Sequence, residues 1–171
     1  MRSELSEARK QISSNRENII AEINNRYKRL NNIVFFNIPE INSNDGTASD
    51  LSSIKNILSV FKNEKFNLST NFDNLVVKRI GYFDPNKIRP ICVTFNSRDD
   101  VFKIISNQEL LPNYKFKMDK TDIQREHLKQ LIEERNKHNS LHPQNPLVIK
   151  YKNEVPILVN KPADIPSAQK N

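Results

Sequence analysis

Hydrophobic positions in this chain change their period along its length, and the changes mark out its elements. Residues 1–32 contain no proline or glycine and place Leu5, Ala8, Ile12, Ile19, Ile23, Tyr27 and Leu30 among polar residues. Leu5, Ile12 and Ile19 form a heptad repeat, with Ala8 and Asn15 in the second core position and a four-residue stutter from Ile19 to Ile23. This spacing predicts a coiled-coil helix that self-associates through Leu5, Ile12, Ile19, Ile23 and Leu30. Glu4, Glu7, Arg9, Glu17, Glu22 and Arg29 supply mixed-charge flanks, and Asn15 in the seam would fix register. The competing reading is a lone amphipathic helix packed on its own domain.

The period then shortens. Ile33 to Ile38 is a run of β-branched and aromatic residues stopped by Pro39, which predicts a first strand. After a polar loop over residues 41–49, Ser49 or Asp50 is expected to cap a helix with Leu51, Ile54, Ile57, Leu58 and Phe61 on one face. A second strand is predicted over Leu75 to Tyr82 and, beyond the turn Phe83-Asp84-Pro85-Asn86-Lys87, a third over Ile91 to Phe95. Ser97 and Asp100 suggest a capping box before a helix that buries Val101, Ile104 and Ile105. A fourth strand alternates Tyr114, Phe116 and Met118 with Lys115 and Lys117. The order βαββαβ is that of the ferredoxin-like split βαβ unit used by RNA-recognition-motif domains.

Thr121 with Gln124 predicts a further capped helix, with Ile123, Leu128, Leu131 and Ile132 inside and Arg125, Lys129, Arg135 and Lys137 outside. Leu147 to Tyr151, a Lys152-Asn153-Glu154 turn and Val155 to Val159 read as a hairpin whose second strand, carrying Pro156, is an edge. The expected fold is therefore α+β in four parts. These are a coiled-coil helix (1–32), an RNA-recognition-motif-like domain (33–119), a helix and hairpin (120–160) and a disordered tail (161–171).

Composition narrows the function. Twenty-seven Lys and Arg against twenty Asp and Glu give a net charge of +7, which suits a polyanionic partner, solubility alone being the alternative. No apolar run is long enough to cross a bilayer and no signal-peptide core opens the chain, so a soluble, intracellular protein is expected. Cys92 is the single cysteine and sits in a predicted strand, as a small hydrophobe rather than a nucleophile. Two glycines cannot build a phosphate-cradling loop. Asp99-Asp100 and Glu133-Glu134 are adjacent pairs that do not face each other. His138 and His142 have metal-compatible spacing, and His127 could join them, but no cysteine pair accompanies them. Neither an enzyme, a cofactor nor a metal centre is expected.

Nucleic-acid binding fits better. In such a sheet the first and third strands are central, and RNA-recognition motifs stack bases on aromatics there. Here Val34 takes the usual aromatic place on the first strand, and Pro90 and Cys92 take those on the third, leaving Phe36, with Tyr82 as a second candidate, to offer a ring. Charge is the stronger signal. Lys78, Arg79, Lys87 and Arg89 gather around the second and third strands, while Lys115, Lys117, Lys120 and Arg125 mark the junction with the C-terminal part. These residues are expected to line a groove between the sheet and the C-terminal helix that contacts the phosphate backbone with little sequence preference.

Arg29-Leu30-Asn31-Asn32-Ile33-Val34-Phe35-Phe36-Asn37-Ile38-Pro39-Glu40, Lys78-Arg79-Ile80-Gly81, Arg89-Pro90-Ile91-Cys92-Val93-Thr94-Phe95 and Lys120-Thr121-Asp122-Ile123-Gln124-Arg125-Glu126 follow one another in an order with a counterpart. Together they resemble the nucleic-acid-binding protein encoded by the first reading frame of LINE-type, non-LTR retrotransposons. The resemblance spans about residues 1–160. It implies an oligomeric protein that coats its transcript and acts as a nucleic-acid chaperone, binding single-stranded RNA, with DNA as a second ligand, in a cytoplasmic ribonucleoprotein or the nucleus. By position, Arg79 and Arg89 match the family's basic residues beside the sheet, and Arg125 the one opening the C-terminal helix. Arg26-Tyr27-Lys28-Arg29-Leu30-Asn31 resembles the family's trimer-specifying pattern but ends in Asn rather than an acid, so dimer and trimer both stay open. No Cys/His zinc knuckle is present. A protein-interaction scaffold with incidental basic charge is the rival from another class, and an inactive transposon copy is a third reading.

Overall fold

A computed structural model describes residues 2–40, 46–152 and 155–161. The chain divides into two compact units, residues 1–120 and 121–171. Part of the polar loop after Pro39, the centre of the C-terminal hairpin turn and the expected tail from residue 162 lie outside the described residues.

Helix α1 (Arg2–Arg29) opens the first unit, about 42 Å long at 1.5 Å per residue. Leu5, Ile12, Ile19 and Ile23 are exposed and Leu30 is half-buried. The helix therefore does not lay its apolar stripe on its own unit, which removes the lone-packed-helix reading. Strand β1 (Asn32–Phe36) follows after a two-residue turn and stops at Asn37, whose φ of 59° is a left-handed geometry that Asn tolerates.

Helix α2 (Gly46–Leu58) starts earlier than the expected Ser49 or Asp50 cap, so Asp50 lies inside it. Three short 3-10 turns, Ser59–Lys62, Glu64–Phe66 and Phe72–Asn74, occupy a stretch that shows no clear sequence period. They bring Phe61 and Phe72 into the core, with Phe66 edge-on to Phe61 at 5.1 Å. Strands β2 (Val76–Arg79) and β3 (Ile91–Thr94), helix α3 (Arg98–Ser106) and strand β4 (Lys115–Met118) complete the unit.

The four strands form one antiparallel sheet in the order β2-β3-β1-β4. Strand residues alternate between faces. Ile33, Phe35, Val77, Ile91, Val93 and Phe116 point to one face and pack with Ile54, Leu58, Val101 and Ile104 of α2 and α3. Phe35 and Phe116, register partners, stack at 5.0 Å.

Ser97 caps α3 by accepting a hydrogen bond from the Asp99 amide, but the expected reciprocal arm is missing. Buried Asp100 instead accepts from the amides and hydroxyls of Ser69 and Thr70, at 2.5–3.0 Å, tying the preceding loop to the helix.

The second unit contains helix α4 (Asp122–Leu141) and the antiparallel strands β5 (Leu147–Lys152) and β6 (Val155–Asn160). Both halves of the Thr121/Gln124 capping box are made. Asn139 mimics a strand partner: its amide donates to the Leu147 carbonyl and accepts from the Leu147 N–H. Leu128 and Leu131 are half-buried, whereas Ile123 and Ile132, expected inside, are exposed. A two-stranded hairpin covers a narrow helix stripe, and these two isoleucines fall beside it.

Candidate nucleic-acid interface

The second face of the sheet carries no helix of the core, and its side chains fall into three cross-strand rows set by the register. The first row is Val76, Thr94, Asn32 and Asp119. Its polar groups are already engaged: Thr94 donates to Asn32 (2.8 Å), Asn32 to Asp119 (3.2 Å), and Arg29 from the end of α1 to Asp119 (2.8 Å). This chain of bonds anchors α1 to the sheet.

Lys78, Cys92, Val34 and Lys117 make the second row. Its centre is closed: Cys92 is 2% and Val34 7% exposed, although both lie on the face away from the core. Burial, helped by the Asp119 charge, pushes the Cys92 thiol up, which suits a packed hydrophobe and not a nucleophile. The flanking Lys78 and Lys117 are exposed.

The third row runs Ile80, Pro90, Phe36 and Lys115, with the Ile80 N–H donating to the Pro90 carbonyl (2.8 Å). Phe36 is half-buried, and the Lys117 ammonium lies 5.1 Å from its ring centroid, within cation–π range. No salt bridge joins Lys78, Lys115 or Lys117 to a carboxylate among the described residues. Lys120, just beyond β4, is half-buried; burial, then the Lys117 charge, push its ammonium down.

The arginines expected to share this face are elsewhere. Arg79 has the parity of Val77, so it points to the core side, where its side chain is only 7% exposed. It makes a two-pronged pair with Asp50 of α2 (2.5 and 2.9 Å) and donates to the carbonyls of Ile38, Pro39 and Arg89. This corrects its placement among the phosphate contacts: its donors hold the end of β1, the start of β3 and α2 together.

Arg89 is likewise occupied, by Glu40 (2.9–3.3 Å), and it also donates to the Gly81 carbonyl. Hydrogen bonds from Arg89 hold the Glu40 carboxyl at about 2. Lys87 is exposed, with a loose 3.7 Å contact to Asp84 in its own turn. Arg125 belongs to the second unit, where it pairs with Asp122.

Sequence reasoning missed Glu40 and Asp50 as partners of the two arginines. The available signal was parity: Arg79 and Arg89 share the parity of Ile91 and Val93, while Lys78 shares that of Cys92. The Lys117–Phe36 contact joins two strands far apart in sequence and depends on a register that no local pattern fixes.

Two histidines of α4 also come together. The His138 and His142 rings lie 4.8 Å apart, while His127, roughly three turns earlier, faces the Pro156 carbonyl (3.3 Å). Among the described residues no group of three or more His, Cys, Asp or Glu could hold a metal ion, and no helix is long and apolar enough to cross a membrane. No protein-family model and no curated protein sequence matches this chain.

Proposed function

We propose that this protein binds single-stranded RNA through the open face of its sheet, largely without sequence preference, and presents several copies of that face by self-association of α1. The observation that carries the reading is the row structure of the open face: exposed Lys78, Lys115 and Lys117, without carboxylate partners among the described residues, and the Phe36 ring beside Lys115 and Lys117. Lysines in this arrangement hold a phosphate backbone as point charges, and one ring accepts a base of any identity. The βαββαβ order and the β2-β3-β1-β4 antiparallel sheet agree with an RNA-recognition-motif-type, ferredoxin-like unit. Missing aromatics on β3 direct the reading away from sequence readout and toward charge.

The exposed stripe Leu5, Ile12, Ile19 and Ile23 supports the second half of the proposal. A coiled coil buries such a stripe, and tethered copies bind one strand with a gain in effective concentration. With the resemblance to LINE-type first-reading-frame proteins, this makes the protein a coating and chaperoning factor for a transcript.

Fluorescence anisotropy with a labelled single-stranded RNA of ~30 nucleotides over a salt series tests it. Wild type is expected to bind tightly at low salt and to weaken steeply as salt rises. Replacing Lys78, Lys115 and Lys117 together by Ala should lower the log–log salt slope by about 2, at roughly 0.7 per phosphate contact. Absence of binding at low salt would defeat the proposal and favour the protein-interaction scaffold.

A further inference from the structure

The connection between β2 and β3 concentrates large exposed apolar groups in a basic neighbourhood. Tyr82 is 99% and Phe83 58% exposed, and Ile80 and Ile88 are also exposed. An isolated exposed hydrophobe is ordinary, but two adjacent aromatic rings at the tip of a short connection call for an occupant.

The tip is built to hold its shape. Asp84-Pro85-Asn86-Lys87 is a turn closed by the Lys87 N–H on the Asp84 carbonyl (3.0 Å) and by the Asn86 N–H on the Asp84 carboxylate (2.9 Å). Gly81 takes a φ of +90°, a left-handed geometry that glycine adopts without steric penalty. On the other side Arg89, fixed by Glu40, reaches the Gly81 carbonyl (3.4 Å) and lies 5.5 Å from the Phe83 ring. Such preorganisation lowers the ordering entropy lost on binding.

Three facts select the occupant. Tyr82 and Phe83 follow Ile80, which opens the third sheet row at its β2 edge, Lys78 on that strand and Lys87 in the turn are exposed, and the chain as a whole carries +7. A polyanion with flat apolar faces complements all three, and single-stranded nucleic acid is that chemistry. We propose that Tyr82 and Phe83 form a base-stacking tip that selects unpaired nucleotides, placing the stacking function on the β2–β3 connection. This rests on the polyanion-binding reading above and adds a second place, besides Phe36, at which bases are recognised.

The experiment separates the two. The full-length protein is titrated with end-labelled oligodeoxythymidine of about 30 residues and with an abasic sugar-phosphate strand of the same length and charge. Wild type should bind the base-bearing strand roughly tenfold more tightly. A Tyr82→Ala/Phe83→Ala variant, with an unchanged melting temperature, should bind the abasic strand as wild type does and lose most of the preference for the base-bearing strand, keeping only the part that Phe36 supplies. As a second readout, Tyr82→Trp introduces the only indole in a chain without tryptophan, and base-bearing but not abasic strands should quench its fluorescence. Equal binding of the two strands by wild type, or a preference that the double substitution leaves undiminished, would overturn the stacking tip while leaving phosphate binding intact. Failure of both strands to bind would instead defeat the polyanion reading, and the tip with it.

Discussion

Phe35 and Phe36 are neighbours in the chain and opposites in the sheet, and Lys78 and Arg79 repeat the contrast on another strand. One member of each pair serves the core face and the other the open face. Phe35 is fully buried and stacks on Phe116, whereas Phe36 is half-buried under the Lys117 ammonium. Arg79 directs its guanidinium into a buried pair with Asp50, whereas Lys78 extends into solvent. The same residue types one position apart perform different physics, because a strand has a period of two and α2 and α3 pack on one face of the sheet.

Substitutions can break each pair. Phe35→Ala should have the largest effect, costing about 4 kcal/mol through lost burial and the cavity left behind. Phe36→Ala should cost under about 1 kcal/mol and register instead in RNA affinity; urea unfolding of both variants measures the difference.

Next, Arg79→Met should destabilise by about 3 kcal/mol, because it strands the Asp50 carboxylate and three backbone carbonyls, while Lys78→Met should be near neutral. Thermal melts of the two variants side by side decide this. Equal melting temperatures would refute the assignment of Arg79 to the scaffold.

The smallest effect is acid sensitivity. Glu40 titrates at about 2 in the folded chain against about 4.3 when unfolded, so the unfolded state binds the proton first as pH falls. Its contribution is fully present above about pH 4.5 and lost as pH drops towards 2. Asp100 acts in the same direction. Burial alone would raise its carboxyl, but the Thr70 and Ser69 hydrogen bonds override it and hold it below its ordinary range. An Asp100→Asn chain, unable to titrate there, should lose less stability between pH 5 and 3 than wild type in parallel urea titrations.

Much of this architecture was legible where local chemistry decides. The β-branched and aromatic runs at Ile33 and Ile91, the capping pair Thr121/Gln124 and the hairpin around Pro156 all form at or within a few residues of their expected places. Residues 62–74 were opaque, because their 3-10 turns lack a sustained period, and Phe61, expected on the helix face, is buried from a 3-10 turn instead. The candidate site was half legible. Clustering in sequence brought Lys78, Arg79, Lys87 and Arg89 together, yet strand parity separates the lysine of the first pair from its arginine. Burial of Val34 and Cys92 on the open face was beyond reach, since alternation assigns each side chain a face but not what covers it.

The position of Cys92 gives the molecule an internal clock. Its thiol is the chain's only one and lies in the middle of a central strand, shut off from solvent. A thiol reagent can modify it only during moments when the groups covering it move aside, so the labelling rate counts those openings in the native protein. A ligand clasped across the open face would slow that count, reporting occupancy from a residue it never touches.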